Sequence, residues 1–360
     1  MSEEPIRGRK ADHIDICLKE RIAPDHCYWD DIKLVHRAMP EINMDDIDLT
    51  ADVLGRRLEF PFIVTAITGG FSGARKINEN IAKACSDLGI GMGVGSERAG
   101  VTGVEPGSYS VIKDYDLPLV IGNIGAPQLV KQKSDDMFTP EMVGQAKDLI
   151  DADFVAVHLN FLQEAIQPEG DKNGAGVRDA IRGLAREYPI IVKETGAGID
   201  ARTAEMLGGI GIQGIDVEGM GGTSFSAVEM YRASSMNDDM HAEMGNTFFD
   251  WGIPAPAALE ECKCSKLPLI ASGGILDGTH IAAALAMGAT AAGAAHSLLR
   301  EANDSAEAVK NKLILFREEL RAAMMLTGCS RIKDLASARY LVLGETKEWL
   351  EGLESNRYGR

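Results

Sequence analysis

A polar cluster that follows one apolar run is the part of the sequence best suited to chemistry. Residues 154–157 have the continuous apolar character of a strand that is buried on both faces. Polar side chains then fill half of the next 14 positions, namely His158, Asn160, Gln163, Glu164, Gln167, Glu169 and Asp171. Since loops at the carboxyl ends of parallel strands carry the active sites of α/β proteins, this stretch predicts an active-site edge. The alternative is a polar loop whose side chains only cap nearby backbone groups.

Lys193 lies at the predicted end of another strand, where a lysine is costly unless an anionic group neutralises it. One candidate partner is the negative charge of a bound ligand. The other is a structural ion pair with Glu194 or a different carboxylate. The sequence leaves both interpretations open.

Glycine-rich segments mark the last two predicted strands. Residues 271–278 read Ala-Ser-Gly-Gly-Ile-Leu-Asp-Gly and precede a helical pattern, and residues 293–297 close the last apolar run. In (β/α)8 barrels the corresponding loops commonly bind phosphate with backbone N–H groups at a helix N-terminus. Such a site needs no side-chain charge, which suits an acidic protein. The alternative is a pair of ordinary glycine-rich turns.

The elements that would position these residues alternate regularly from residue 61 onward. Eight apolar, β-rich runs cover residues 62–66, 90–94, 119–124, 154–159, 190–193, 214–217, 269–271 and 290–294. Segments with helical spacing lie between them, such as 77–88, 139–150, 177–188, 201–207, 256–262 and 279–287. Eight strand-then-helix units predict an α/β fold of the TIM (β/α)8 barrel type. A doubly wound sheet of roughly six or seven strands is the alternative.

The segments outside this repeat define the expected organisation of the chain. Residues 1–60 form an N-terminal extension, 61–302 the barrel, and 303–360 a C-terminal helical tail packed on the barrel. In the extension, Ile14, Cys17 and Leu18 have helical spacing, and residues 47–49 have the pattern of a short strand. Residues 223–254, after the sixth strand, are expected to form a long loop that acts as a lid or binding element.

The amino-acid composition argues against some classes of binding partner. The 360 residues carry a formal net charge of −17, and a field of that sign repels nucleic acid. Any anionic ligand therefore needs local basic residues and backbone N–H groups. The six cysteines show no disulfide framework, which fits free thiols in a reducing cytoplasm. We expect an intracellular protein without membrane association, because neither a signal-peptide core nor a run of roughly 18 apolar residues is visible.

Several motifs occur together in an arrangement typical of one known family. They are Arg9-Lys10 with Asp12-His13-Ile14, Pro61-Phe62, Ala66-Ile67-Thr68-Gly69-Gly70, Gly95-Ser96-Glu97-Arg98, Asn123-Ile124-Gly125-Ala126, His158-Leu159-Asn160 with Gln163-Glu164, Gln167-Pro168-Glu169-Gly170-Asp171, Gly219-Met220-Gly221-Gly222-Thr223-Ser224 and Ala271-Ser272-Gly273-Gly274. Through most of its length the chain resembles the type 2 isopentenyl-diphosphate delta-isomerases, flavoenzymes of isoprenoid synthesis. The glycine pairs are weak alone, whereas the fourth-strand stretch combined with Arg9-Lys10 is specific.

The resemblance implies a TIM barrel that binds FMN at the strand ends. By position, the flavin ring and ribityl chain would contact Thr65, Ala66, Ile67, Thr68, Ser96, Asn123, Lys193 and Thr223. The FMN phosphate would be held by Gly273, Gly274, Ile275, Leu276, Ala295 and His296. Lys193 would then neutralise negative charge on the reduced ring, since opposite unit charges about 4 Å apart interact by roughly 4 kcal/mol at an effective dielectric of about 20.

The same resemblance implies a substrate site and a metal site. The substrate would contact Arg9, Lys10, Ser96, Glu97, Arg98, His158, Asn160 and Gln163. Glu164 would bind Mg²⁺, a hard cation that prefers oxygen ligands and would bridge to the substrate diphosphate. The catalytic residues would be Gln163, His158 and Lys193, with Gln163 orienting the reacting end or relaying a proton.

The implied reaction interconverts isopentenyl diphosphate and dimethylallyl diphosphate by a proton shift across the allylic system. FMN reduced by NADPH would act as acid and base inside an apolar pocket that excludes water. The family also implies self-association into tetramers or octamers. The competing interpretations are another FMN-dependent TIM-barrel oxidoreductase and a non-catalytic flavin- or phosphate-binding regulator.

The chain departs from the family pattern at a few positions. Ile67 stands where Met is usual, Phe161 where Pro is common and Leu276 where Arg is common. Glu97 stands where Gln is common, which puts a carboxylate next to Arg98 in the chain. Backbone contacts to a phosphate survive the missing cation at Leu276, so the departures bear on individual contacts and leave the resemblance intact.

Overall fold

The N-terminal extension forms a helix and a small hairpin ahead of the barrel. The computed structural model describes residues 3–133 and 137–357, and of residues 3–9 and 354–357 only the backbone. The first elements are α1 (Glu3–Lys19), β1 (Ile32–Leu34), β2 (Ala51–Val53) and β3 (Arg56–Leu58). β2 and β3 pair antiparallel, and β1 pairs with a strand near the C-terminus.

In the described part of the chain, eight parallel strands close into a barrel in chain order. They are β4 (Phe62–Val64), β5 (Gly91–Gly93), β6 (Val120–Gly125), β7 (Phe154–Leu159), β8 (Ile190–Glu194), β9 (Ile215–Asp216), β10 (Leu269–Ala271) and β11 (Ala291–Ala294). Each coincides with one of the predicted apolar runs. The strand residues are almost all buried because both faces of the sheet are covered. The predicted TIM (β/α)8 barrel is therefore confirmed.

Helices follow the strands and cover the outside of the barrel. They are α2 (Ser72–Leu88), α3 (Arg98–Val101), α4 (Gly107–Ser110), α5 (Pro140–Leu149), α6 (Phe161–Ile166), α7 (Val177–Leu184), α8 (Ala201–Gly208), α9 (Phe225–Ser235), α10 (Asp239–Thr247), α11 (Ala255–Cys262), α12 (Gly278–Ala286) and α13 (His296–Asp304). The chain then continues through α14 (Ala306–Thr327), β12 (Tyr340–Val342) and α15 (Gly344–Arg357). Within the described ranges, no helix combines the length and apolar character needed to cross a lipid bilayer.

The hairpin of β2 and β3 packs into the barrel's own core. Val53 and Leu58 are fully buried, and they cluster with Ile63, Ile121 and Ile191 from the barrel strands. Alternate residues of each strand point to opposite faces, so this cluster forms a layer on one face of the sheet. Part of the extension is thus integral to the barrel fold.

Helix α14 is held against the barrel by a stripe at helical spacing. Leu313, Phe316, Leu320 and Met324 recur every three or four residues and are all fully buried. The Phe316 ring meets the Phe62 ring of β4 edge-on, with 5.7 Å between centroids. Both ends of the helix are capped. At the N-terminus the Ser305 side chain accepts a hydrogen bond from Ala308 N, and at the C-terminus a glycine in the left-handed region follows Thr327.

Two local predictions are wrong. Residues 47–49 form no strand, because Asp48 makes only an isolated β-bridge to Arg331. The alternating pattern that suggested a strand arises because the Ile47 and Leu49 side chains are buried on either side of Asp48 in the sequence. Residues 223–254 are not an irregular loop either, since they contain α9 and α10. Ser224 and Asp238 start these helices by accepting backbone N–H groups of the first turn, a signal present in the sequence.

Candidate active site

One large cavity opens where the carboxyl ends of the barrel strands meet. Its volume is about 1280 Å³, and residues at or beyond the ends of β4 to β11 all contribute to its lining. Sites for one small molecule usually measure about 300–1,000 Å³, so this cavity has room for more than one ligand. Barrel enzymes carry their active sites at this rim.

The cavity gathers nearly all of the site residues that the sequence suggested. Those that line it are Lys10, Thr65, Ala66, Ile67, Thr68, Ser96, Arg98, Asn123, His158, Asn160, Gln163, Glu164, Lys193, Thr223, Gly273, Gly274, Ile275, Leu276, Ala295 and His296. Arg9 belongs to α1, and its side chain falls outside the described residues.

Glu97 requires a correction. It was expected to contact substrate, but it is fully buried and does not line the cavity. Its carboxyl group turns toward the barrel wall, where Oε2 accepts from the backbone N–H of Asn123 at 2.8 Å. Gly122 leaves room for this orientation, because a Cβ there would lie 2.7 Å from Glu97 Oε2.

His158 and Asn123 form a buried pair at the ends of β7 and β6. Asn123 Nδ2 donates to the carbonyl oxygen of Val94 at 3.1 Å, which leaves Asn123 Oδ1 facing His158 Nδ1 at 2.7 Å. His158 Nδ1 therefore carries the ring proton, and Nε2 remains an acceptor. Burial, together with the Lys193 and Lys10 cations, lowers the pKa of His158 to about 3. The imidazole is neutral at physiological pH.

Lys193 is buried and paired with carboxylates of β9 and the loop that follows. Its Nζ lies 2.9 Å from Glu218 Oε1 and 3.5 Å from Asp216 Oδ2. Burial by itself lowers the pKa of Lys193, but these two carboxylates outweigh burial and raise it. Lys193 is thus a permanent cation that borders the cavity, and the ion-pair interpretation left open by the sequence is realised with Glu218 and Asp216.

Glu164 presents a fixed carboxylate at the start of α6. Its Oε1 accepts from Asn160 Nδ2 at 2.9 Å, and its Oε2 accepts from the backbone N–H of Asp171 at 2.7 Å. Within the described residues, no group hydrogen-bonds to the buried Oδ1 of Asn160. A carboxylate beside an unsatisfied amide oxygen is a set of oxygen donors that suits a hard divalent cation. Arg98 is close, with Nη1 3.4 Å from Asp171 Oδ2.

Gln163 is oriented by a residue that sequence reasoning missed. Its Nε2 donates to Glu229 Oε1 at 2.8 Å, and its Oε1 accepts from Asn160 Nδ2 at 3.3 Å. Glu229 comes from α9 and is also paired with Arg232, at 3.0 Å, and with His13, whose Nε2 lies 3.0 Å away. Residues 223–254 were expected to be a loop, so the only available signal was the i,i+3 spacing of Glu229 and Arg232.

Helix α1 forms one wall of the cavity, a position that the spacing of its residues in the sequence could not predict. Lys10 Nζ donates to the carbonyl oxygen of Ser96 at 2.9 Å and to Tyr109 Oη at 2.7 Å. His13 and Cys17, further along the same helix, also line the cavity. The helix therefore brings a basic side chain from the extension onto the barrel rim.

The glycine-rich segments after β9 and β10 pack against each other, and α13, which follows β11, begins beside the cavity without a side-chain cap. A Cβ at Gly274 would lie 2.5 Å from the carbonyl oxygen of Gly221, so these glycines are needed for backbone contact. Asp277 already caps α12, whereas α13 has no side-chain cap at its first turn. Ser297, in that turn, lines the cavity, and its buried Oγ has no hydrogen-bond partner within the described ranges. Open N–H groups and a spare hydroxyl suit a phosphate.

Comparison with known sequences finds relatives that align with nearly the whole chain. The FMN-dependent dehydrogenase family model matches residues 179–342. An isopentenyl-diphosphate delta-isomerase of Thermoplasma acidophilum is 46% identical over 348 residues, which cover 96% of this chain and 99% of the relative. The isopentenyl-diphosphate delta-isomerase of Methanothrix thermoacetophila is 44% identical over 351 residues, 97% of this chain and 96% of the relative.

Solved structures with a similar fold are more distant in sequence. A mutant flavocytochrome b2 with benzoylformate has a TM-score of 0.66 at 18% identity, covering 90% of this chain and 80% of that one. A mutant mandelate oxidase with (S)-mandelic acid has a TM-score of 0.62 at 15% identity, covering 95% of this chain and 98% of that one. At such identities the likeness extends to the barrel fold and no further.

Proposed function

The chain belongs to the isopentenyl-diphosphate delta-isomerase family, and we propose that its cavity binds FMN, Mg²⁺ and a five-carbon diphosphate at adjacent positions. The enzyme isomerises isopentenyl diphosphate in isoprenoid synthesis, with FMN as its cofactor. The observation that carries the proposal is that Asn123, Lys193 and Glu164, from three separate strand ends, border one common cavity.

FMN would lie with its phosphate at the α13 end of the cavity. The uncapped first turn of α13, Ser297 and Gly274 would hold the phosphate oxygens, so Leu276 needs no positive charge there. Thr68 and Asn123 would border the ring and the ribityl chain. Lys193 would face its pyrimidine edge, where a fixed cation favours the anionic reduced form.

Mg²⁺ would bind at Glu164, with the diphosphate of the substrate on its other side. Asn160 Oδ1, which lacks a partner within the described residues, would face the metal or one of its waters. Lys10 and Arg98 would contact the diphosphate oxygens, since a chain with a net charge of −17 attracts an anion only through local cations. Arg9 is proposed for the same role from its place in α1.

His158 would respond to the diphosphate by changing its charge. The free imidazole is neutral with Nε2 as acceptor, so it cannot donate to an anion until it takes up a proton. A bound diphosphate nearby favours the protonated ring, which then donates from Nε2. Asn123 keeps Nδ1 in place during this change.

Reduced FMN, when bound, supplies the acid and base for the proton shift across the allylic system. Gln163 would orient the reacting end of the substrate over the cofactor, because Glu229 and Asn160 fix its amide in one orientation. The apolar walls contributed by Ile14 and Ile67 would keep water from a developing positive charge. Remote binding of the diphosphate would hold the alkene in position.

An anaerobic assay tests this function directly. Isopentenyl diphosphate, FMN, Mg²⁺ and NADPH are combined with the purified chain, and each is omitted in turn. We expect dimethylallyl diphosphate to form only when all are present, with no net consumption of NADPH after the flavin is reduced. Steady NADPH consumption without a diphosphate substrate would instead indicate an oxidoreductase.

We further propose NADPH as reductant, self-association into a tetramer or octamer, and a cytoplasmic location. The last is supported by six cysteines that form no disulfide within the described residues, since a reducing compartment keeps cysteines reduced. Self-association is supported by large apolar side chains at the surface, such as Met240 and Trp251, each 63% exposed. Sedimentation equilibrium of the holoenzyme tests the assembly, and a mass near one chain would contradict it.

A further inference from the structure

Glu218 occupies a backbone conformation that glycine normally supplies. It comes two residues after the end of β9, and its φ of +51° lies in the left-handed region. Gly219, the next residue, also has a positive φ. A residue with a Cβ is less stable than glycine in such a conformation, and residues of this kind cluster at functional sites. The strained position of Glu218 at the cavity rim therefore points to a role for its side chain.

Three oxygen atoms of the protein surround the Nζ atom of Lys193. Glu218 Oε1 lies 2.9 Å from it, the carbonyl oxygen of Glu194 lies 3.3 Å from it, and Asp216 Oδ2 lies 3.5 Å from it. An ammonium group has three protons to donate, so each of these oxygens can take one. A ligand that approaches Lys193 therefore meets a cation whose charge is already shared.

The two carboxylates that pair with Lys193 differ in their access to the cavity. Asp216 is 4% exposed, accepts a hydrogen bond from Ser272 Oγ and does not line the large cavity. The Glu218 side chain is 17% exposed and lines the cavity together with Lys193. Glu218 is thus the carboxylate closest to a ligand at this place, whereas Asp216 would keep the ammonium group paired if the Glu218 charge were removed.

Building on the proposed function, we propose that Glu218 is a positioning residue that acts on bound FMN through Lys193: it withholds part of the lysine charge from the reduced ring. A cation without a carboxylate partner would stabilise the anionic reduced ring strongly and leave that ring a weaker base. The isomerisation requires the reduced ring both to give up a proton and to take one back, so a moderated charge suits it better. Glu218 and Lys193 together therefore set the proton affinity and the reduction potential of the cofactor.

The reduction potential of bound FMN tests this role without turnover. It is measured anaerobically at pH 7, from flavin absorbance against a reference dye, in the wild-type, Glu218→Gln and Asp25→Asn holoenzymes. Glu218→Gln removes the charge and keeps the size of the side chain, so we expect the equilibrium constant for FMN reduction to rise about tenfold, which is about 30 mV for a two-electron couple. Asp25 is the control, because it also lines the cavity but pairs with Arg21 at 2.6 Å; its variant should match the wild type.

A second variant, Glu218→Gly, keeps the test valid if the glutamine variant does not fold. Glycine suits a φ of +51° and removes the same charge, so we expect the same rise in potential. An unchanged potential in a folded Glu218 variant, or an equal rise in Asp25→Asn, would overturn the proposal even if the protein isomerises its substrate. A raised potential in the Glu218 variants together with an inactive wild type would leave the role of Glu218 standing while the proposed function fails.

Discussion

Gln163 is held by two hydrogen bonds, from its own Nε2 to Glu229 and from Asn160 Nδ2 to its Oε1, so its amide has one defined orientation. We expect Gln163→Ala to lower kcat by about a hundredfold with FMN still bound, because a misplaced substrate loses the benefit of orientation. Stopped assays with flavin absorbance measured on the same sample test this. The exposed Gln213→Ala serves as control. Full activity in Gln163→Ala would remove the residue from the mechanism.

Glu229 should make the free energy of unfolding decrease as the pH becomes acidic. Burial by itself raises the pKa of Glu229, but His13, Gln163 and Arg232 outweigh burial and lower it to about 2. Its folded-state pKa lies below the ordinary value of about 4.5, so Glu229 stabilises the fold above pH 4.5 and loses this contribution as pH falls toward 2.

We therefore expect Glu229→Gln to lower the free energy of unfolding by about 3 kcal/mol at pH 7 and by progressively less below pH 4.5. Chemical denaturation at pH 7, 5 and 3 measures the difference from the wild type. The exposed Glu187→Gln should show no such trend. A difference that stays constant from pH 7 to pH 3 would contradict the assignment.

At the scale of elements, α14 is part of the barrel's support rather than a mobile tail. Phe316 is fully buried and packs its ring on Phe62 of β4, whereas the adjacent Leu315 is 49% exposed. A Cβ on Gly278 would lie 2.3 Å from the backbone of α14, so α12 and α14 are in direct backbone contact. The helix therefore couples the C-terminal region to the first and seventh units of the barrel.

Truncation of Phe316 should show how much this packing contributes. We expect Phe316→Ala to lower the free energy of unfolding by about 3–5 kcal/mol, the usual effect of removing a buried phenyl group. Leu315→Ala, one position away on the exposed side, should change it by less than about 1 kcal/mol. Denaturant titrations of both variants measure these changes. Equal losses of unfolding free energy in the two variants would show that α14 does not pack as described.

At the scale of the whole molecule, the cavity connects all eight strand ends, so a ligand bound there should stabilise the entire barrel. At an FMN concentration about 100 times its Kd, binding to the native state contributes about 2.7 kcal/mol and should raise Tm by several degrees. We expect Ser297→Ala to need more FMN for the same shift, and the exposed Ser234→Ala to match the wild type. Thermal scans over an FMN series test this; equal curves for both variants would remove Ser297 from the phosphate site.

The sequence by itself determined the barrel and most of its rim. Apolar runs at a regular spacing indicated strands covered on both faces, with a doubly wound sheet as the alternative to a barrel. Polar residues such as His158, Asn160 and Lys193 at the strand ends were therefore expected to share one edge, and all three line the cavity. Ser224 and Asp238 are residue types that cap helices, but residues 223–254 were expected to form a loop, so the structure was needed to identify them as the caps of α9 and α10.

Tertiary structure decided which way each side chain faces and which distant groups it meets. Glu97 follows Ser96 in the chain, yet only Ser96 lines the cavity, because Gly122 on the neighbouring strand opens a space on the other side. The pairing of Gln163 with Glu229, and of Lys193 with Glu218 and Asp216, joins residues from separate elements. The spacing of residues along the chain cannot predict such contacts, because they depend on how the elements pack against each other.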